Sequence, residues 1–83
     1  MKRDMSLVRE ILQEVESWDA GVEKIIHLSD RDDAIVQGHV ELLSDAGLLN
    51  VETIRSLEAV FHNIKGITWT GYDLLDSFGA TDS

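Results

Sequence analysis

Eighty-three residues with no cysteine exclude disulfides, thiolate metal sites and cysteine nucleophiles, and set the size of one small domain. Sixteen acidic residues against seven basic ones give a formal charge of −9, the opposite of the basic stripe that phosphate-binding domains present. With 43% hydrophobic residues the chain is a globular domain, and its size limits burial to about 60% of the unfolded surface, so a partner or a homodimer would add stability.

The first predicted element is a helix from Asp4 to Ser17. Met5, Val8, Ile11, Leu12 and Val15 recur at three- and four-residue steps and form one apolar stripe, with Asp4 as the N-cap. Asp19-Ala20-Gly21 ends it. Val22–Leu28 is short and β-branched, which predicts a strand with Val22, Lys24, Ile26 and Leu28 on one face. A helix-turn-helix would have its supporting helix here.

The middle helix is predicted from a Ser29-x-x-Asp32 capping signature, with Ser29 as N-cap. Ile35, Val36, His39, Val40, Leu43 and Ala46 fit its buried stripe, and Gly38 marks a close contact or a kink. Gly47 suits a left-handed C-cap. Leu48–Arg55 and Val60–Thr68 then read as the two strands of a hairpin, joined by Ser56–Ala59. Thr70-Gly71-Tyr72-Asp73 is a second capped helix start, for a short last helix held by Tyr72, Leu75 and Phe78. Gly79–Ser83 reads as a frayed tail. The expected architecture is α+β, a single winged-helix-like domain over 1–83 in the order helix–strand–helix–β-hairpin (wing)–helix.

Three segments, MKRDMSLVREIL, HVELLSDAGLL and ITWTGYDLLD, carry a resemblance. Together they look like a family of short, uncharacterised phage- and prophage-associated winged-helix proteins. The motif residues are Lys2, Arg3, Asp4, Met5, His39, Leu43, Gly47, Leu48, Thr68, Trp69, Gly71, Leu75 and Asp76. The resemblance implies a winged-helix fold and a mobile-element setting, and no reaction.

Chemistry-bearing patterns are few. His27, His39 and His62 lack metal-ligand spacing, and His39 on its helix stripe reads as a packed, hydrogen-bonded histidine. Asp30, Asp32 and Glu41 fall at positions 1, 3 and 12 of a calcium loop, but Ala34 and Ile35 stand where an oxygen ligand and a glycine are needed. No phosphate loop and no nucleophilic triad stand out. The expectation is a non-enzymatic protein with no catalytic residues, cofactor or metal, and no membrane span, in the cytoplasm of a bacterial host cell. Trp18 and Trp69 are expected to pack at the core or its boundary, with Trp18 the better binding hot spot of the two.

Two functions follow from opposite readings of the middle helix. Its predicted outer face carries Asp33, Gln37, Glu41 and Ser44, with no Lys or Arg after Arg31. The first reading is an acidic protein-interaction module, phage- or mobile-element-encoded, that docks on a basic surface of a host protein. In its sharpest form it is a DNA-mimic inhibitor of a nucleic-acid-binding defence factor. Its partner-binding residues would be Glu10, Glu14, Trp18, Asp30, Asp32, Asp33, Glu41 and Asp45. The alternative is a dimeric winged-helix transcriptional regulator. Arg31, Arg55 and Lys65, with Lys2 and Arg3, would contact phosphates there, and Gln37 and Ser44 would read bases.

Overall fold

A computed structural model describes residues 2–81. Helix α1 spans Met5–Glu16. The Asp4 carboxylate accepts the Ser6 and Leu7 backbone N–H groups at 3.0 and 3.3 Å, so two donors that no helical carbonyl can reach are satisfied. Leu7, Val8, Ile11, Leu12 and Val15 are all buried. Met5, expected in the stripe, is 43% exposed, and Leu7, one turn before Ile11, takes the inward position instead.

The strand expected over Val22–Leu28 reduces to a single bridge. Lys24 and Ile64 exchange both backbone hydrogen bonds, at 3.2 and 2.9 Å, and nothing adjoining them extends the ladder. The chemistry on either side explains the stop. In an antiparallel ladder the next rungs would pair Val22 with Gly66 and Ile26 with His62. Gly66 lies at a bulge, and the Ile26 carbonyl accepts the Gln37 side-chain amide at 3.0 Å. Ile26 itself is buried, so the segment still closes the core.

Helix α2 spans Asp33–Asp45 and is capped by Asp32, not Ser29. Asp32 Oδ1 accepts the Ala34 N–H at 2.9 Å, while Arg31 N–H closes a turn back to the Leu28 carbonyl. That turn holds Ser29–Arg31 outside the helix. Val36, His39, Val40 and Leu43 are buried, whereas Ile35 and Ala46, expected beside them, are exposed. Ala46 is the C-cap, beyond the regular turns, and Ile35 lies one residue off the stripe. The helix runs unbroken through Gly38. At its end Gly47 takes φ +76°. Leu48 N–H reaches the Leu43 carbonyl at 2.8 Å and Gly47 N–H reaches Ser44 at 3.0 Å, a Schellman closure.

Strands β1 (Leu49–Arg55) and β2 (Val60–Ile67) pair antiparallel as a hairpin. Lys65 is the extra residue of a bulge, since Val51 faces Ile64 and Asn50 faces Gly66. At the far end Ser56 Oγ accepts the Glu58 and Ala59 N–H groups, which makes Ser56–Ala59 a hydrogen-bonded turn. Helix α3 spans Trp69–Thr81. Its cap lies two residues before the predicted one: Thr68 Oγ1 accepts the Gly71 N–H at 3.0 Å and donates to the Gly47 carbonyl at 2.6 Å. The helix continues through Gly79 to Thr81, where a tail was expected, and Asp82 and Ser83 lie outside the described residues.

The core joins the α1 and α2 stripes to Leu49 and Ile64 of the hairpin and Leu75 of α3. Its boundary is filled by Trp18, Leu28, Val51 and Phe78. The molecule is a small α+β domain in the order helix–helix–hairpin–helix, compatible with a winged-helix-like fold.

Candidate functional site

His39 is 1% exposed and ties the chain's beginning to α2. Its Nε2 accepts the Asp4 N–H at 3.0 Å, which fixes the proton on Nδ1, and Nδ1–H donates to the Ile35 carbonyl at 2.9 Å. The same corner holds Arg31, whose Nε donates to Glu10 Oε2 at 3.0 Å while a terminal nitrogen sits 3.5 Å from Asp4 Oδ2. The Ser6 hydroxyl, then the Leu7 N–H, with a smaller contribution from Arg31, hold the Asp4 carboxyl below its ordinary pKa. Arg31 is shifted upward, chiefly by its hydrogen bond to Glu10.

This corner consumes much of the acidic set expected to bind a partner. Glu10 is paired with Arg31 and Asp32 caps α2. Asp33 lies 3.4 Å from His27 Nδ1, both well exposed. Glu14 accepts the Trp18 indole N–H at 3.2 Å, and Lys24 Nζ stands 4.7 Å from the Trp18 ring centroid. Trp18 is therefore a half-buried boundary residue already engaged on its edge and on its ring. Asp30 is exposed beside Arg31.

Glu41 and Asp45 differ. Like Asp30 they take part in no ion pair or side-chain hydrogen bond among the described residues, but they stand one turn apart on the exposed side of α2, away from Arg31. With Ser44 they face Thr53, Arg55 and His62 of the hairpin across a cleft of about 390 Å³. Asp45 also borders a second concavity of about 500 Å³, walled by Met5, Leu42, Leu48 and Leu74. The middle of the chain thus has an acidic ridge with a polar cleft on one side and an apolar groove on the other.

The residues of the regulator reading sit in separate surroundings. Arg31 is held by Glu10 and Asp4, Arg55 lies in the cleft with Glu41 and Asp45, and Lys65 lies with Glu16, Trp18 and Asp19. Gln37 holds the Ile26 carbonyl, and its Oε1 is buried without a partner among the described residues. Of the two proposed base-reading residues, only Ser44 reaches the cleft.

Sequence reasoning missed the groove because it counted Met5 as core and left Leu42 unassigned. The signal was Leu42 itself: at about 100° per residue it lies roughly 110° from the centre of the stripe formed by Val36, His39, Val40 and Leu43. Trp69 was expected to pack at the core or its boundary but is 84% exposed, and the start of α3 is tied down by Thr68, which donates to the Gly47 carbonyl. The hairpin end is also apolar, with Ile54, Leu57, Val60 and Phe61 exposed.

Among the described residues no group of three or more His, Asp or Glu side chains is placed to hold a metal ion, and no helix is long and apolar enough to cross a membrane.

Fold and surface together define a small helix–helix–hairpin–helix domain with an acidic ridge on its second helix. The chain belongs to the family described as Hypothetical protein (DUF2513), whose profile matches residues 2–81. No curated protein and no solved structure matches it.

Proposed function

We propose that the protein is a non-enzymatic interaction module that docks the acidic ridge of α2 on a basic surface of another protein. The observation that carries this reading is that Glu41 and Asp45, on the exposed side of α2 beside the cleft, are unpaired among the described residues. Carboxylates at i and i+4 lie about 6 Å apart along the helix axis, and their repulsion costs only a few tenths of a kcal/mol. A facing cation on a partner would offset that cost. The motif resemblance supports a phage or prophage origin and a bacterial cytoplasmic setting. The natural target is then a host nucleic-acid-binding protein, whose cationic surface the ridge engages in place of phosphates. The engagement of Arg31 by Glu10 and of Gln37 by Ile26 supports this reading over the regulator.

Fluorescence anisotropy of a labelled mixed-sequence duplex tests the choice. The module reading predicts no binding even at low salt, where cation–phosphate attraction is strongest. Binding that weakens steeply as salt rises would reverse it in favour of a DNA-binding regulator.

A further inference from the structure

The groove beside the ridge carries information about what docks there. Met5 of α1 and Leu42 of α2 are 43% and 38% exposed, and both turn toward one concavity closed by Ala46, Leu48 and Leu74. A groove of about 500 Å³ between helices, walled by aliphatic and thioether side chains, suits the apolar face of an incoming helix.

Its electrostatics select the occupant. Asp45 belongs to the groove wall, Glu41 follows one turn back, and the last turn of α2 has no basic residue to offset the negative end of the helix dipole. A second copy of this chain would bring another −9 of charge to that edge. A cationic helix meets attraction there instead. Arg3, also on the groove wall, suits the carbonyl end of such a helix.

We propose that this groove receives a short amphipathic helix of a basic protein partner. Its apolar residues, at three- and four-residue spacing, fill the space beside Met5 and Leu42, and its lysines or arginines face Asp45 and Glu41. This rests on the docking function above and names the part of the partner that enters.

The test is an NMR titration of the full chain with a lysine–leucine peptide of about 18 residues, roughly 27 Å long as a helix, whose leucines fall on one face. A scrambled peptide of the same composition is the control. The amphipathic peptide should shift the methyl signals of Met5, Leu42 and Leu74. It should stay bound near physiological salt, where the screening length is about 8 Å. The scrambled peptide should bind at least roughly tenfold more weakly, a gap of about 1.4 kcal/mol. Leu42→Glu and Met5→Glu should each lower affinity by a similar factor and leave the remaining spectrum unchanged. Both are exposed helical positions that accept glutamate, and the unchanged spectrum shows that each variant folds.

Equal binding of both peptides, with shifts confined to Glu41 and Asp45, would overturn the groove proposal while leaving the acidic docking function in place. No binding of either peptide at low salt would overturn both. Concentration-dependent self-association that Leu42→Glu abolishes would overturn the proposal in favour of a second copy.

Discussion

The two ends of α2 carry similar acids and use them differently. At the N-terminal end Asp32 caps the helix, Asp33 lies near His27, and Asp4 and Glu10 share Arg31. Those carboxylates organise the chain. At the C-terminal end Glu41 and Asp45 have no such work among the described residues, and they border two concavities. Acidic composition therefore does not measure an acidic binding surface. Carboxylates near helix N-termini are drawn into caps by the free backbone N–H groups, while those past mid-helix meet no free backbone N–H and are engaged only where another side chain reaches them, as Trp18 reaches Glu14.

The strongest way to break the comparison is to remove the support beneath the C-terminal end. A Cβ on Gly71 would overlap the Leu48 carbonyl oxygen and come within 2.6 Å of Ile67 Cγ2. Since the oxygen is backbone and cannot rotate away, Gly71→Ala should lower stability by roughly 3 kcal/mol. For so small a domain that is a large share of the total. The urea unfolding midpoint followed by circular dichroism measures it, and an unchanged midpoint would mean that α3 shifts freely against Leu48.

A smaller effect separates the N-terminal end from α2. His39→Leu keeps a buried apolar body but leaves the Asp4 N–H without its acceptor, so a loss of about 1–2 kcal/mol is expected. Amide exchange should rise first in the opening turn of α1. Exchange that instead rises uniformly would show that the bond supports the whole core and not this corner.

The smallest effect sharpens the charge contrast through pH. The Asp4 carboxyl is held below its ordinary value of 3.8, chiefly by the Ser6 hydroxyl and the Leu7 N–H. A group whose pKa is depressed in the folded state stabilises that state above its unfolded pKa, and the contribution is lost as pH falls through the folded value. Stability should therefore decline as the medium is acidified below about pH 4. Asp4→Asn, which still caps the helix, should flatten that part of the profile. An unaltered acid limb in this variant would place the dependence on other carboxylates.

Much of the fold was legible because it rests on local rules. The cap at Asp4, the α1 stripe, the stop at Gly47 and the two hairpin strands each follow from a short window of sequence. What was not legible depends on contacts between distant residues. The Val22–Leu28 strand fails because Gln37 takes the Ile26 carbonyl and because β2 bulges at Lys65. The cap of α3 moves from Thr70 to Thr68 because Thr68 also reaches Gly47. The resemblance gains a physical reading from the same contacts. Asp4 meets His39, Gly47 meets Thr68 and Leu48 meets Gly71, so residues of the three motifs join one another where α1, α2 and α3 meet. The candidate site was legible only in part. Glu41 and Asp45 were within the expected set, but their separation from Glu10, Glu14 and Asp32 depends on which carboxylates find partners, and Arg31 lies twenty-one residues from Glu10.

Comparing the two ends of α2 in one binding experiment tests the central claim most directly. Affinity for a lysine-rich peptide would be measured by calorimetry for the full chain, for the double variant Glu41→Gln with Asp45→Asn, and for the double variant Asp30→Asn with Asp33→Asn. Each double variant removes two charges, so net charge is matched. The first pair should lose affinity at least roughly tenfold, about 1.4 kcal/mol or more, and the second should change little. Equal losses for both pairs would contradict that claim, because binding would then follow total charge and not the ridge.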